Sequence, residues 1–525
     1  MKNILNRKNI FSTQSIMLLI IIVAVLAVIN LISVNHFGRL DLTSDKEYSI
    51  SDASKNIVKN LDDLLTIKVY FSTVLPPDLA QTEQYLKDIL SEYQAYSKKI
   101  RIEFIDPAKD AQTKEEVQNL GIPEIEMQIL QKDEFKVQKG YLGVALFYAD
   151  KKEIIPVIQN TDNLEYDLTS AINRLTAQSL RSIAFLSGDD EHGLYSLPYN
   201  SDQQNATNDY TEIAKDLNKN YRVTTIDLTK DEKLDNIDTL IIAGPKKALS
   251  DKELYQLDQF IMKGGKAIFL IDEVTIAQGL QAAPNKTNLE KILSAYGIQL
   301  NEDLVIDSSD ENVGFSSGQV QFLLPYPYWP KLIKNNFLKD NPVMAKLQSI
   351  SFPWVSSLTP NPQPNLEIKT LATTTEQGAT VKAPFNLDPQ QNFNPTELKK
   401  IPIILEAKGK FKSAFSDKQP SELDTTGFIK EAAKESQIIV VANSNFINDN
   451  FASRFPENLV FFQNAVDYLT LDSNLIGIRS KTLTNRPLQK ISEGTKTWIK
   501  VINIGLIPLI IIIIGVVRFY LRRRK

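Results

Sequence analysis

Two uncharged apolar runs stand at opposite ends of the chain, Ile16 to Val34 and Val501 to Val517, and they limit what lies between them to a body held by two membrane helices. The first has the length a helix needs to cross a bilayer, about 17–25 residues. The second is near the lower limit, but Trp498 precedes it and Phe519 and Tyr520 follow it, as expected of rings at headgroup depth. Lys2, Arg7 and Lys8 lie before the first run, and Arg518 and Arg522 to Lys525 after the second. The positive-inside rule then makes 1–15 a cytoplasmic N-terminus and 518–525 a basic cytoplasmic tail, with the long middle region outside. A cleaved signal peptide would free the N-terminus, but Ser33-Val34-Asn35-His36-Phe37 contains no small-x-small cleavage site. Asn30, Asn503 and Gly505 fall inside the runs, where amides and small residues permit contact with neighbouring helices. Their place near the outer ends leaves interfacial solvation as an equal alternative.

Chemistry is narrowed mainly by what is missing. With no cysteine there are no disulfides, thiolate ligands or cysteine nucleophiles, and with only His36 and His192 there is no histidine-rich zinc site. No G-x-x-x-x-G-K-[ST] loop occurs, so the chain is not expected to hydrolyse ATP by itself, and neither cofactor nor metal is expected. The net charge of -4 and the absence of basic stretches interleaved with aromatics give no footprint for nucleic acid.

The body of about 460 residues exceeds a single core, so it is read as two α/β domains. The first covers 36–178. Leu65 to Ser72 and Ile100 to Ile105 alternate as strands on either side of a helix from Asp78 to Lys98, a β-α-β unit, and extended runs follow to about Gln159. The second covers 181–480. Ser182 to Ser187, Val223 to Leu228, Thr239 to Ala243 and Ala267 to Ile271 read as strands, separated by amphipathic helices near 209–220 and 251–262, a pattern that implies a doubly wound parallel sheet. Ser250 with Glu253 has capping-box spacing, and Gly264-Gly265 ends that helix. Prolines crowd 325–402 and predict a loop-rich insertion of short strands, because proline interrupts helices and central strands alike. Regular patterning resumes with a strand at Ser436 to Ala442 and a helix at Leu459 to Leu469, and 481–500 is a linker to the second run.

Gly314-Phe315-Ser316-Ser317-Gly318 matches the nucleophile-elbow pattern, but an extended, proline-bound stretch follows where a helix is required, and no histidine follows Ser316. The best candidate site is Ser187 to Gly193. It follows the first strand of the second domain and so lies at the carboxyl edge of the sheet, where such folds bind ligands. Asp189, Asp190, Glu191 and His192 are its chemical groups, and Asp272 and Glu273 end another strand on the same edge. Carboxylates there suit a cation or sugar hydroxyls; a solvated acidic loop with turn glycines is the plain alternative.

The order of these features resembles the GldG-like family, auxiliary extracytoplasmic subunits of a bacterial ABC transporter associated with gliding motility. The likeness is carried by Arg39-Leu40-Asp41-Leu42-Thr43 and Tyr48-Ser49-Ile50-Ser51 after the first run, Ile183 to Gly188 with Glu191, and Leu240 to Pro245. Gly264-Gly265-Lys266 and the Asn458 to Leu469 helix before the last run complete it. The resemblance implies a non-enzymatic subunit in the bacterial inner membrane, crossed twice with a periplasmic body, partnered by a separate ATPase and a separate multi-span permease. It also implies that the second domain is similar to a class I glutamine-amidotransferase or flavodoxin-like fold without its catalytic cysteine. Two alternatives stay open: an envelope glycan- or cation-binding module with no transporter, and a membrane-anchored hydrolase built on 189–192.

Overall fold

A computed structural model describes residues 49–471 except 132–133, 159–160, 162–163, 178–179, 195–208, 231, 318–319, 340, 345–346 and 418–425, together with isolated positions at 17–18, 21–22, 24–25, 515, 519 and 523. Apart from those isolated positions, both apolar runs, with Asn30, Asn503 and Gly505, lie outside the described residues. Among the described residues no helix is long and apolar enough to cross a membrane. The chain divides into two compact units, Met1–Thr482 and Leu483–Lys525, and the fold below is that of the first.

The first sheet grows from the expected β-α-β unit. Helix α1 (Asp52–Lys59) starts at Ser51, whose hydroxyl accepts the Ser54 N–H at 3.1 Å. Strand β1 (Leu65–Phe71) and β2 (Ile100–Ile105) run parallel, joined by α2 (Pro77–Tyr96), which buries Leu86, Leu90 and Tyr93 at helical spacing. After α3 (Ala111–Asn119) come β3 (Ile125–Gln131), β4 (Glu134–Gly140), β5 (Leu142–Tyr148) and β6 (Lys151–Ile155), then α4 (Leu164–Thr176). The sheet order is β2-β1-β5-β6, while β3 and β4 form a separate ribbon. Neither α3 nor β3 was anticipated: α3 buries only Val117 and leaves almost no apolar stripe to read.

The second sheet begins with β7 (Ser182–Ser187), α5 (Thr211–Asn218), β8 (Arg222–Asp227), β9 (Thr239–Ala243), α6 (Asp251–Met262) and β10 (Lys266–Leu270). All of β9 is buried, which is why its sequence is apolar without alternation. The capping box at Ser250 and Glu253 is present, and Gly264 takes the left-handed φ of 92° that lets the chain leave α6.

The proline-rich region holds three-residue strands such as Leu358–Pro360 and Ala379–Val381, in line with the expectation of short strands, but a long strand runs into its start. Strand β11 (Asp310–Ser317) pairs with β12 (Val320–Ile333), which runs through Pro325, Pro327 and Pro330 and then pairs with β13 (Ser349–Ser351). The strand survives because it serves as an acceptor there. The carbonyls of Pro327, Tyr328 and Pro330 take the N–H groups of Asp307, Trp354 and Phe352 at 3.1, 2.9 and 3.1 Å, bonds that need no proline N–H.

Strands β14 (Leu366–Thr373), β15 (Pro402–Gly409) and β16 (Ser436–Val441) complete the second sheet, and α7 (Glu457–Thr470) packs on it. The order is β14-β15-β16-β10-β9-β7-β8; the five strands from β16 to β8 are parallel and the two at the other end antiparallel. Counted in chain order, the parallel strands lie 2-1-3-4-5. The chain therefore reverses its lateral direction between β7 and β9, and right-handed crossovers put α5 and α6 on opposite faces.

At the amino edge of this sheet the two α/β parts are bolted together. The buried Asp467 carboxylate accepts the hydroxyls of Tyr166 from α4 at 2.8 Å and Tyr221 before β8 at 2.6 Å. The Arg174 guanidinium bonds both Glu153 and Asn220. The Lys266 ammonium caps the Leu469 carbonyl at 2.7 Å, near the end of α7.

Candidate functional site

The carboxyl ends of four neighbouring parallel strands supply the site. Beyond β7 the chain turns at Gly188 (φ 125°) into Asp189 to His192; beyond β9 it turns at Gly244 (φ 63°). Asp272 follows β10, and Asn443 and Ser444 follow β16. The His192 N–H bonds the Ala243 carbonyl at 3.0 Å, which seats the imidazole over the reversal between β7 and β9.

A continuous polar line results. The His192 Nδ1 lies 2.7 Å from Asp209 Oδ2, its Nε2 lies 2.7 Å from Ser444 Oγ, and the ring stacks on Tyr210 at 4.6 Å. Ser444 donates its hydroxyl to Asp272 Oδ2 and its backbone N–H to Asp272 Oδ1 at 2.8 Å. The amides of Asn443 and Asn445 reach the same carboxylate at 3.1 Å each. Asp272 is thus saturated, and His192 and Ser444 are buried.

Asp209, His192 and Ser444 have the composition of a hydrolytic triad, but their proton arrangement runs the other way. In a triad the serine gives its proton to histidine. Here the Ser444 hydroxyl donates to Asp272 Oδ2, so the proton that a triad serine gives to histidine is directed elsewhere. The serine also lacks room: a Cβ added to Gly244 would stand 2.3 Å from its Oγ and 3.0 Å from His192 Cδ2.

The acidic loop is not the solvated turn of the plain alternative. Asp189, Glu191 and His192 are buried; Asp190, at φ 60° and 3.1 Å from the Lys247 ammonium, is exposed, as is Gly188. Glu191 Oε2 accepts the Asp189 N–H at 2.8 Å, and the Asp189 carbonyl accepts those of Lys246 and Lys247 at 2.8 and 3.2 Å. Burial, with the charges of Glu253 and Glu191 next in importance, pushes the Asp189 carboxyl up to about 7, and burial also raises Glu191. Glu273 stands apart from the line. Burial first, then the charge of Glu290, raises it to about 7. Glu191 Oε1, Asp209 Oδ1, Glu273 Oε1 and Asn443 Oδ1 are all buried without a hydrogen-bond partner. Asn443 Oδ1 can only accept, the carboxyl oxygens accept when ionised, and the orphaned Ser356 hydroxyl beside the end of β16 can do either.

The structure therefore links His192 and Asp272 through Ser444, keeps Asp189 and Glu191 beside them, and separates Glu273. Among the described residues no group of three or more His, Asp or Glu side chains is placed to hold a metal ion. Ser444, Asp209 and Asn443 were missed by sequence reasoning. A signal was available, since Asn443-Ser444 immediately follows a strand that had been read, on the edge already singled out.

Residues 180–470 match the family described as ABC-type uncharacterized transport system, and residues 44–147 match a domain of unknown function, DUF7088. The first match spans more than half the chain, and the protein belongs to that family of ABC transporter auxiliary proteins. An uncharacterized protein of Borreliella burgdorferi is 26% identical over 509 residues, covering 93% of this chain and 94% of its own length. Among solved structures, the mmIFT52 N-terminal domain is 16% identical with a TM-score of 0.34, over 56% of this chain and 99% of that one. The exo-beta-1,4-mannosidase Op5Man5 from Opitutaceae bacterium strain TAV5 is 12% identical with a TM-score of 0.24, over 75% of this chain and 49% of that one. Overlaps that low carry no argument about this chain.

Proposed function

We propose that this protein is a non-enzymatic accessory subunit of a bacterial ABC transporter, similar to GldG-like subunits that serve gliding motility. The runs at 16–34 and 501–517 anchor it in the inner membrane with both termini cytoplasmic and the body periplasmic. A separate ATPase and a separate permease supply energy and pathway, in keeping with the missing phosphate loop. The doubly wound, flavodoxin-like second domain presents its carboxyl edge to a ligand. Asp209 Oδ1 and Asn443 Oδ1 are buried there without a donor, so a ligand that brings hydrogen-bond donors, such as an amine or a polyol, suits the edge. The N-terminus of α6, where an anion would otherwise dock, is already closed by Glu253.

The observation that carries this reading is the family match over 180–470, the segment that builds the seven-stranded sheet. The test is affinity purification of the full-length chain from detergent-solubilised membranes. Recovery of an ABC ATPase and a multi-span permease is the expected result; their absence, with the chain itself folded and membrane-bound, overturns the accessory role in favour of a free-standing envelope module. The hydrolase alternative built on 189–192 is tested by hydrolysis assays of the wild type and His192→Ala; hydrolysis lost on that substitution would favour it, and none is expected.

A further inference from the structure

The proline-rich region has a small core of its own, and a cavity opens on it. Tyr328 of β12, Ile306 and Ala379 are buried in that core, and Val381 and Phe393 pack against it. Beside them lies a cavity of about 340 Å³, near the lower end of the roughly 300–1,000 Å³ of small-molecule sites. Most of the remaining lining comes from residues 384–399, which form neither helix nor strand. That segment is nevertheless pinned. The Tyr326 hydroxyl donates to the Leu387 carbonyl at 2.9 Å, the Gln391 amide donates to the Asn386 carbonyl, and the Lys399 N–H bonds the Gly378 carbonyl at 2.8 Å. The Phe393 ring meets Tyr328 at 5.6 Å with the planes 72° apart. A lining fixed in advance loses little freedom when a ligand arrives.

Its chemistry is polar but balanced in charge. Glu397 and Lys399 are the charged residues of the lining, one of each sign, so neither a cation nor an anion gains a net field there. Asn392, Asn394 and Thr396 also line the cavity; they are exposed and their side chains make no hydrogen bond within the chain. A side-chain amide both donates and accepts, as does a hydroxyl, whereas an ammonium only donates and a phosphate chiefly accepts. An ion would thus use half of each amide, and a ligand hydroxyl can use both halves. Phe393, Tyr328 and Val381 add an apolar wall, which suits the C–H face of a sugar ring.

We propose that this cavity binds an uncharged saccharide, with a ring face against Phe393 and with hydroxyls that take the place of solvent on Asn392, Asn394 and Thr396. The site is distinct from the line of His192, Ser444 and Asp272, and it requires no transporter, so it stands or falls separately from the accessory role.

The test uses the full-length chain in a zwitterionic, sugar-free detergent, applied to immobilised neutral glucans, mannans, galactans and chitooligosaccharides. At least one glycan should be retained, and its affinity is then measured by calorimetry. Phe393→Leu, which keeps apolar volume but removes the flat ring, and Asn394→Ala should each weaken binding about fivefold. Phe393 touches the core, so the exposed Asn394→Ala decides if the first variant melts lower. Retention of no glycan overturns the proposal, as does an affinity unchanged in both variants. Binding that survives both but is lost in His192→Ala belongs to the carboxyl edge and overturns it as well. Displacement of the glycan by inorganic phosphate or spermidine would put an ion in the cavity and overturn the uncharged class.

Discussion

The two ends of the second sheet pair their buried charge to different degrees, although each leaves some unpaired: near the amino end Glu406, held by Gln437 and Tyr468, keeps Oε2 buried without a partner. At the amino edge, Asp467 has both carboxylate oxygens taken by tyrosine hydroxyls, Arg174 is shared by Glu153 and Asn220, and Lys266 caps a helix carbonyl. At the carboxyl edge, Glu191, Asp209 and Glu273 each keep one buried oxygen with no donor, and two carboxyls are pushed up to about 7. A buried polar group left unmade costs about 1–3 kcal/mol, so the carboxyl edge carries the larger penalty of the two. Satisfied charge joins the two α/β parts, and more of the unpaired carboxyl oxygens lie at the opposite end.

The largest effect should come from breaking the satisfied end. Asp467→Ala removes the acceptor of two buried tyrosine hydroxyls, and hydrogen bonds to a charged group contribute about 1.5–3 kcal/mol each. A loss of about 3–5 kcal/mol is expected in urea unfolding. A loss under 1 kcal/mol would remove the contrast between the edges. Next comes Gly244→Ala. The new methyl collides with Ser444 and the residue must hold φ 63°, so overpacking and left-handed strain together predict a loss of about 2–4 kcal/mol. An unchanged midpoint would mean that Ser444 has room to move, and would reopen the nucleophilic reading.

Acidity sharpens the comparison further. Asp189 and Glu273 hold their protons in the folded state up to about pH 7, whereas in the unfolded chain such groups ionise near pH 4. Between those values the folded state binds more protons, so the stability due to these groups is full below about pH 4 and declines as the pH rises toward 7. Thermal melts of the body should therefore show a midpoint that falls from pH 5 to pH 8. Glu273→Gln, which cannot ionise, should flatten that slope. A midpoint that rises over this interval would show that the buried carboxyls are ionised and already paired.

These differences were unevenly visible in the sequence. The apolar run of β9, the Ser250 capping box and the β-α-β unit at the start of the body are local patterns, and each was legible because a few adjacent residues carry it. The carboxyl edge was legible as a position, from the rule that ligands bind beyond the strand ends, but not as a network. His192 meets Ser444 across 252 positions of chain, and no local spacing encodes that contact. Strand β12 was hidden for another reason. Its prolines forbid donation, and only the tertiary partners show that acceptance was all the strand required there.

The smallest expected effect is at Asp190, which shares the loop with Asp189 and Glu191 but not their environment. Its side chain is exposed and paired with Lys247, an arrangement that contributes about 0–1 kcal/mol. Its φ of 60° is a left-handed conformation that glycine adopts without strain. Asp190→Gly therefore loses a weak ion pair and relieves a strained backbone, and the two nearly cancel to within about 0.5 kcal/mol. Glu191→Ala, one residue on, removes the acceptor of the Asp189 N–H and leaves that donor buried, which costs about 1–3 kcal/mol. Urea midpoints of the two variants measured side by side test whether burial, and not the shared acidity of the loop, separates these neighbours. Equal losses at both positions would mean that the loop behaves as one solvated acidic turn and that the orphaned oxygens beneath it are satisfied by water.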